Sequence, residues 1–135
     1  GVRISPVSPA NDVSSSDPQP QYDYIAEQLS ALGIAFLHVV EGATGGPRDV
    51  APFDYDSLRK RFKQTYLANN GYDLDMATAA RKEGRADLFA FGRPFISNPD
   101  LVQRFKAGAP LAPLDQATLY GGGAEGYTDY PTFSR

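Results

Sequence analysis

The sequence predicts a parallel α/β fold, and three observations predict it. Four strand-like segments recur along the 135 residues, each followed by a loop and a helical pattern. The second of them, Ile34-Ala35-Phe36-Leu37-His38-Val39-Val40, is almost continuously apolar, as a strand covered on both faces is. Two strand ends, Asn69-Asn70-Gly71 and Gly92-Arg93, carry glycine steps that suit a phosphate. Strands alternating with helices at this spacing argue for parallel pairing through right-handed crossovers. An open doubly wound sheet and a (β/α)8 barrel both use that unit. A complete barrel takes about 250 residues, so four units are half of one. The edge candidates Val2-Arg3-Ile4 and Leu88-Phe89-Ala90-Phe91 lack the lysine or proline guards of exposed edges, so these edges expect partners.

The elements follow in order. The first strand, residues 1–5, is closed by Pro6, and a polar loop then runs to Ser14-Ser15-Ser16-Asp17-Pro18, a helix entry. The helix over residues 21–32 spaces Tyr24, Ile25, Leu29 and Leu32 on one face, with Gly33 at the capping position. After the second strand, residues 34–40, a loop containing Gly and Pro leads to a helix over 55–63, where Leu58 and Phe62 lie four apart. The third strand, residues 65–68, opens onto Asn69-Asn70-Gly71-Tyr72, and Asp73 caps the helix over 74–84. The fourth strand, residues 87–91, is followed by a helix over 99–106.

Composition narrows the function. A formal charge of −3 leaves no basic surface for nucleic acid or anionic lipid. The absence of cysteine removes disulfides, thiolate metal sites and thiol nucleophiles. No apolar run reaches the roughly 18 residues of a membrane span, and the N-terminus lacks the build of a signal peptide, so the expectation is a cytoplasmic protein.

The chemistry concentrates at the strand ends. Ala86-Asp87-Leu88-Phe89-Ala90-Phe91-Gly92-Arg93-Pro94 runs an apolar strand into a Gly-Arg step and a new helical turn. Gly92 admits close approach of a ligand, the free N–H groups of the turn face outward, and Arg93 adds a guanidinium, which together make an anion site. Gly71 and Gly92 lie one βα unit apart, so their loops are neighbours, as are the loops after the last two strands in phosphate-binding barrels. Arg3 lies within a strand, where it either forms a salt bridge or faces a charged ligand.

These residues resemble a known family. Gly1-Val2-Arg3-Ile4-Ser5-Pro6, Leu37-His38-Val39-Val40-Glu41, Asn69-Asn70-Gly71-Tyr72-Asp73, the run Ala90-Phe91-Gly92-Arg93-Pro94-Phe95-Ile96-Ser97-Asn98-Pro99-Asp100-Leu101-Val102, and Tyr120-Gly121-Gly122-Gly123-Ala124-Glu125-Gly126-Tyr127-Thr128-Asp129-Tyr130-Pro131 are similar to the C-terminal half of the old yellow enzymes. These are FMN-dependent ene-reductases close to the N-ethylmaleimide and nitrate-ester reductases. The resemblance spans the whole chain, with the motifs in family order. It implies the second half of a (β/α)8 TIM barrel, strands 5 to 8, with residues 108–135 as an extended tail and FMN at the C-terminal face. It further implies Arg3 along the N1 and C2 carbonyl edge of the flavin, with Gly71, Gly92 and Arg93 on the phosphate and Asn70 in the same loop. Asn11 falls at a substrate-side position and Tyr120 at a pocket-lining one. Ala10 departs from the pattern where many relatives carry an aromatic, which widens the pocket there.

Other residues have plainer readings. His38, a lone imidazole in a strand, reads as a satisfied core or barrel-lining residue. Asp73 with Asp75, and Asp54 with Asp56, read as helix capping rather than metal or acid–base pairs. Gly121-Gly122-Gly123 lacks the strand and lysine of a phosphate loop and reads as a tail turn whose aromatics pack on the barrel mouth. Arg59, Lys60, Arg61 and Lys63 read as a solvated helix face.

The resemblance places the substrate anchors and the proton-donating tyrosine on the first four strands, so no catalytic residue is expected in this chain and no metal. The full enzyme would move hydride from NAD(P)H through the flavin to the β-carbon of an electron-poor alkene, or reduce nitro or nitrate-ester compounds. The partner expected is a complementary N-terminal half-barrel, since the start at Gly1, flush against a strand, reads as a chain cut from a longer one. Two rivals remain: a non-catalytic half-barrel that binds a phosphorylated ligand or pairs with its own copy, and an open-sheet flavodoxin-like carrier. The second lacks its Ser/Thr-rich phosphate loop after the first strand.

Overall fold

The computed structural model describes residues 1–133, so Ser134 and Arg135 at the end of the expected tail lie outside the described residues. It divides into two compact units, Gly1–Ala90 and Phe91–Arg135. The first carries β1 (Val2–Ile4), α1 (Pro18–Ala31), β2 (Phe36–Val40), α2 (Tyr55–Arg61), β3 (Thr65–Asn69), α3 (Leu74–Lys82) and β4 (Leu88–Ala90). The second carries α4 (Arg93–Ser97) and α5 (Leu101–Ala107), and a 3₁₀ turn sits within each unit, Ala10–Asp12 and Gln116–Thr118.

The four strands pair in the order β1-β2-β3-β4, all parallel. This order decides between the two architectures that element spacing alone leaves open, in favour of the barrel that the resemblance implies. A doubly wound sheet reverses direction at a switch point, whereas a barrel adds each strand beside the last. No reversal occurs here, so the open-sheet carrier is set aside.

Alternation fixes which side chains are buried. Leu37, Val39, Tyr66 and Ala68 are fully buried, together with Ala26, Leu58, Phe62 and Ala80 from the helices. The opposite face carries a cross-strand row of Arg3, His38, Leu67 and Leu88. Leu88 is 53% exposed and Phe36 39%, so the helices cover one face of β2 rather than both, as its apolar run suggested.

Helix ends follow local chemistry. α1 starts at Pro18, earlier than expected, because first-turn N–H groups have no intrahelical partner and two prolines there lose nothing. Gly33, at φ +67°, closes it by donating to Ser30. The Asp54 carboxylate accepts from the Ser57 N–H and that of Asp73 from Met76, while Asp56 and Asp75 sit in the same first turns. Among the described residues no group of His, Cys, Asp or Glu is arranged to hold a metal. No helix is long and apolar enough to cross a membrane among them either.

The basic cluster is more than a solvated face. Arg61 pairs with Asp23 at 3.1 Å and with Glu27, which ties α2 to α1. Arg59 pairs with Asp87 at 2.9 Å, and Asp87 in turn accepts from the Tyr66 N–H at the start of β3.

In the second unit, the five-residue α4 precedes the helix that the sequence predicted. Asn98 stops it and donates back to Pro94 O at 2.9 Å. α5 ends at Gly108, at φ +62°, and Phe105 meets Phe91 edge to face at 5.3 Å.

Candidate functional site

Arg3 stands on β1, exposed, beside His38 in the register. Among the described residues it forms no salt bridge, which removes one of its two readings within this chain. Of the two readings of His38, the satisfied core histidine is not the one found. Its Nε2 is buried without a hydrogen-bond partner among the described residues, and burial first, then the Arg3 charge, holds its pKa below the usual histidine value.

The turn after β3 is held by side-chain hydrogen bonds on both of its asparagines. Asn69 pairs with Ala90 and seals that pairing by donating from Nδ2 to Ala90 O at 2.9 Å. Asn70 and Gly71 then take two consecutive left-handed conformations, φ 98° and 66°. Asn70 is buried, and its Nδ2 donates to Glu41 O at 2.7 Å, Ala43 O at 3.0 Å and Gly46 O at 3.3 Å. Its side chain therefore holds the loop after β2. Gly71 is exposed, and a Cβ there would meet Arg48 Cδ only at 3.7 Å, so its positive φ rather than space calls for glycine.

Arg48, from the loop after β2, gathers this turn. Its guanidinium lies 4.1 Å over the Tyr72 ring, donates to Asn70 O at 3.3 Å and Tyr72 Oη at 3.0 Å, and pairs with Glu41. Tyr72 Oη donates to Glu41 Oε2 at 2.8 Å. Burial pushes the Glu41 carboxyl above its usual range despite these donors. The Tyr72 hydroxyl is pushed up to about 12, by burial and then by the Glu41 charge. A cavity of about 240 Å³ beside them is lined by Glu41, Arg48, Tyr55, Tyr72 and Arg85 among others. None of this hub was anticipated. The signal for it was a glutamate continuing an apolar strand, where a charge needs buried donors.

In the second unit Gly92 and Arg93 are exposed at the head of α4. Gly92 has φ −90°, and a Cβ would meet nothing within 4 Å. Neither its backbone nor its neighbours in this chain demand glycine. Tyr120 is 93% exposed and Tyr127 78% within the described residues. Tyr130 accepts from the Asp115 N–H at 2.9 Å. Asn11, in the first unit, is exposed with φ 60°. Of the residues singled out from sequence, Arg3, Asn11, Asn70 and Gly71 thus belong to the first unit, and Gly92, Arg93 and Tyr120 to the second.

A sequential parallel sheet with glycine turns beyond its third and fourth strands defines part of a (β/α)8 barrel of the flavin-oxidoreductase class. The chain belongs to the NADH:flavin oxidoreductase / NADH oxidase family, whose model matches residues 1–112. It is similar to the putative 12-oxophytodienoate reductase 12 of Oryza sativa subsp. japonica, at 38% identity over 97% of this chain and 35% of the relative. The probable flavin mononucleotide-dependent alkene reductase of Leishmania infantum is 40% identical over 97% of this chain and 35% of its own. The solved structure of the old yellow enzyme homologue from Zymomonas mobilis superposes with a TM-score of 0.89 at 42% identity, over 96% of this chain and 37% of that one. The resemblance to old yellow enzymes is borne out, and FMN with a nicotinamide hydride donor is the family's equipment. The chain spans about a third of the length of the curated relatives it matches.

Proposed function

We propose that this chain supplies the FMN phosphate site and the flavin-edge arginine of an NAD(P)H-dependent oxidoreductase that reduces activated alkenes, with the remaining barrel strands provided by a complementary polypeptide. One observation carries the reading. Asn69 and Ala90 are register partners, and Gly71 and Gly92 each follow two residues further along the chain. The donor set fits the cofactor: left-handed backbone at Asn70 and Gly71, open space around Gly92, and the cations Arg3 and Arg93 suit an anionic, electron-accepting group. FMN, when bound, supplies two-electron hydride chemistry. Gly71, Gly92 and Arg93 hold its phosphate, with the Asn70 backbone beside them. Arg3 places a cation where negative charge develops on reduction. Asn11 and Tyr120 face substrate. Residues 1–135 form the second half of the single barrel domain, with 108–135 as its tail, and we place the protein in the cytoplasm.

The test is to express residues 1–135 alone and together with the amino-terminal barrel half of the Zymomonas relative, then to measure bound flavin and NAD(P)H-dependent reduction of a maleimide or cyclohexenone. Only the pair should bind FMN and turn over. Charge-assisted hydrogen bonds are worth about 1.5–3 kcal/mol, so Arg93→Ala should weaken FMN roughly 10- to 100-fold and leave riboflavin, which lacks the phosphate, little changed. Equal loss for both flavins removes Arg93 from the phosphate site. Full activity in the chain alone would overturn the half-barrel reading.

A further inference from the structure

We infer that Arg48 is a positioning residue for the phosphate turn: from the loop after β2 it fixes the peptide between Asn70 and Gly71, and so sets the direction of the Gly71 N–H. The inference rests on the reading of Gly71 as a phosphate contact.

Consecutive residues at φ 98° and 66° are sparsely populated, the first of them not glycine, and such a turn persists only when its surroundings hold it. The surroundings here act on both sides of one residue. The Asn70 amide is spent on three carbonyls of the loop after β2, and the Asn70 carbonyl accepts from Arg48 Nη1 at 3.3 Å. A trans peptide is planar, with its C=O and N–H pointing in opposite directions. Pinning the Asn70 carbonyl on Arg48 therefore aims the Gly71 N–H away from the guanidinium.

Arg48 is itself immobilised. It stacks on the Tyr72 ring, shares the Tyr72 hydroxyl with Glu41, and pairs with the Glu41 carboxylate. A Cβ at Gly42, which has φ +85°, would strike the Arg48 backbone, so the loop is closed tightly on itself. The planar fork of arginine reaches Asn70, Tyr72 and Glu41 at once, whereas a lysine ammonium keeps the charge without that geometry. Lysine at this position therefore separates positioning from simple attraction of an anion.

The experiment titrates FMN and riboflavin into the assembled flavin-binding protein carrying Arg48→Lys, with Arg93→Ala alongside. Arg48→Lys should weaken FMN about tenfold, the loss of one charge-assisted bond's worth of alignment, with riboflavin unchanged within about twofold. Tyr72→Phe removes only the shared hydroxyl and covers the case in which the Arg48 variant does not fold, with the same split expected at about threefold. Unchanged FMN affinity in Arg48→Lys, with Arg93→Ala still selective for FMN, overturns the inference and leaves the phosphate site standing. Equal loss of both flavins in Arg48→Lys and Tyr72→Phe makes the hub a fold element and overturns it as well. Failure of Arg93→Ala to discriminate the two flavins strikes the phosphate site itself.

Discussion

Each of the two units gathers its loops with one asparagine amide and one arginine guanidinium, yet the carboxylates that complete these hubs are driven in opposite directions. In the first, Asn70 and Arg48 collect the backbone around the strand ends, and the Glu41 carboxyl is raised. In the second, Asn98 exchanges hydrogen bonds with Ala112, and Arg104 donates to Pro110 O at 2.7 Å and Pro131 O at 2.9 Å. There the Asp100 carboxyl is lowered. Both carboxylates touch an arginine, so pairing alone does not set the sign. Asp100 takes Arg104 Nε at 2.8 Å and, in addition, the Phe133 N–H, and these donors outweigh its loss of water. Glu41 takes Arg48 and one tyrosine hydroxyl, and burial outweighs them.

The largest effect that sharpens this contrast is in the arginines. Arg104→Met strands two carbonyls, each bond worth about 1.5–3 kcal/mol when the donor is charged. Arg48→Met should cost less, because its side chain is 30% exposed against 8% for Arg104 and Tyr72 still donates to Glu41. Urea midpoints of the two variants measure this, and a greater loss in Arg48→Met breaks the comparison.

A smaller effect lies in pH. Between the ordinary glutamate value of 4.5 and its raised one, Glu41 keeps a proton in the folded protein that the unfolded chain has released. Stability therefore falls as pH rises through that window, and Glu41→Gln should flatten the fall. Asp100 is the reverse case. Its contribution is present above the ordinary aspartate value of 3.8 and is lost as pH falls through its lowered one, so Asp100→Asn should flatten the acid limb. Unfolding midpoints across pH 2–8 would sink the contrast if both variants changed the same limb. Smallest is Tyr130→Phe, which removes one exposed acceptor from the Asp115 N–H and should cost about 0.5 kcal/mol in the same assay.

The sequence made the four strands and their helices legible because apolar runs and helical spacing are local signals. Element spacing did not make strand order legible, since nothing local distinguishes a switch point from a steady progression; the family resemblance implied it, and the sheet has that order. α4 was legible in the Gly92-Arg93-Pro94 step, because a first-turn proline gives up no hydrogen bond. Arg59 and Arg61 read as solvated because their partners, Asp87 and Asp23, are remote in the chain. Arg3 was legible for the opposite reason, as a charge inside a strand stands out. Arg48 lies in a loop containing Gly and Pro without periodicity, and only the fold brings it to Tyr72.

The sequential strand order has a consequence for synthesis. A strand that always pairs with its predecessor finds that neighbour already made as the chain leaves the ribosome, and no strand has to be threaded between two others. Each pairing closes only one helix-bearing crossover at a time. The loop from Glu41 to Arg48 is therefore synthesised before Asn70, whose amide then gathers its carbonyls while Arg48 takes the Asn70 carbonyl.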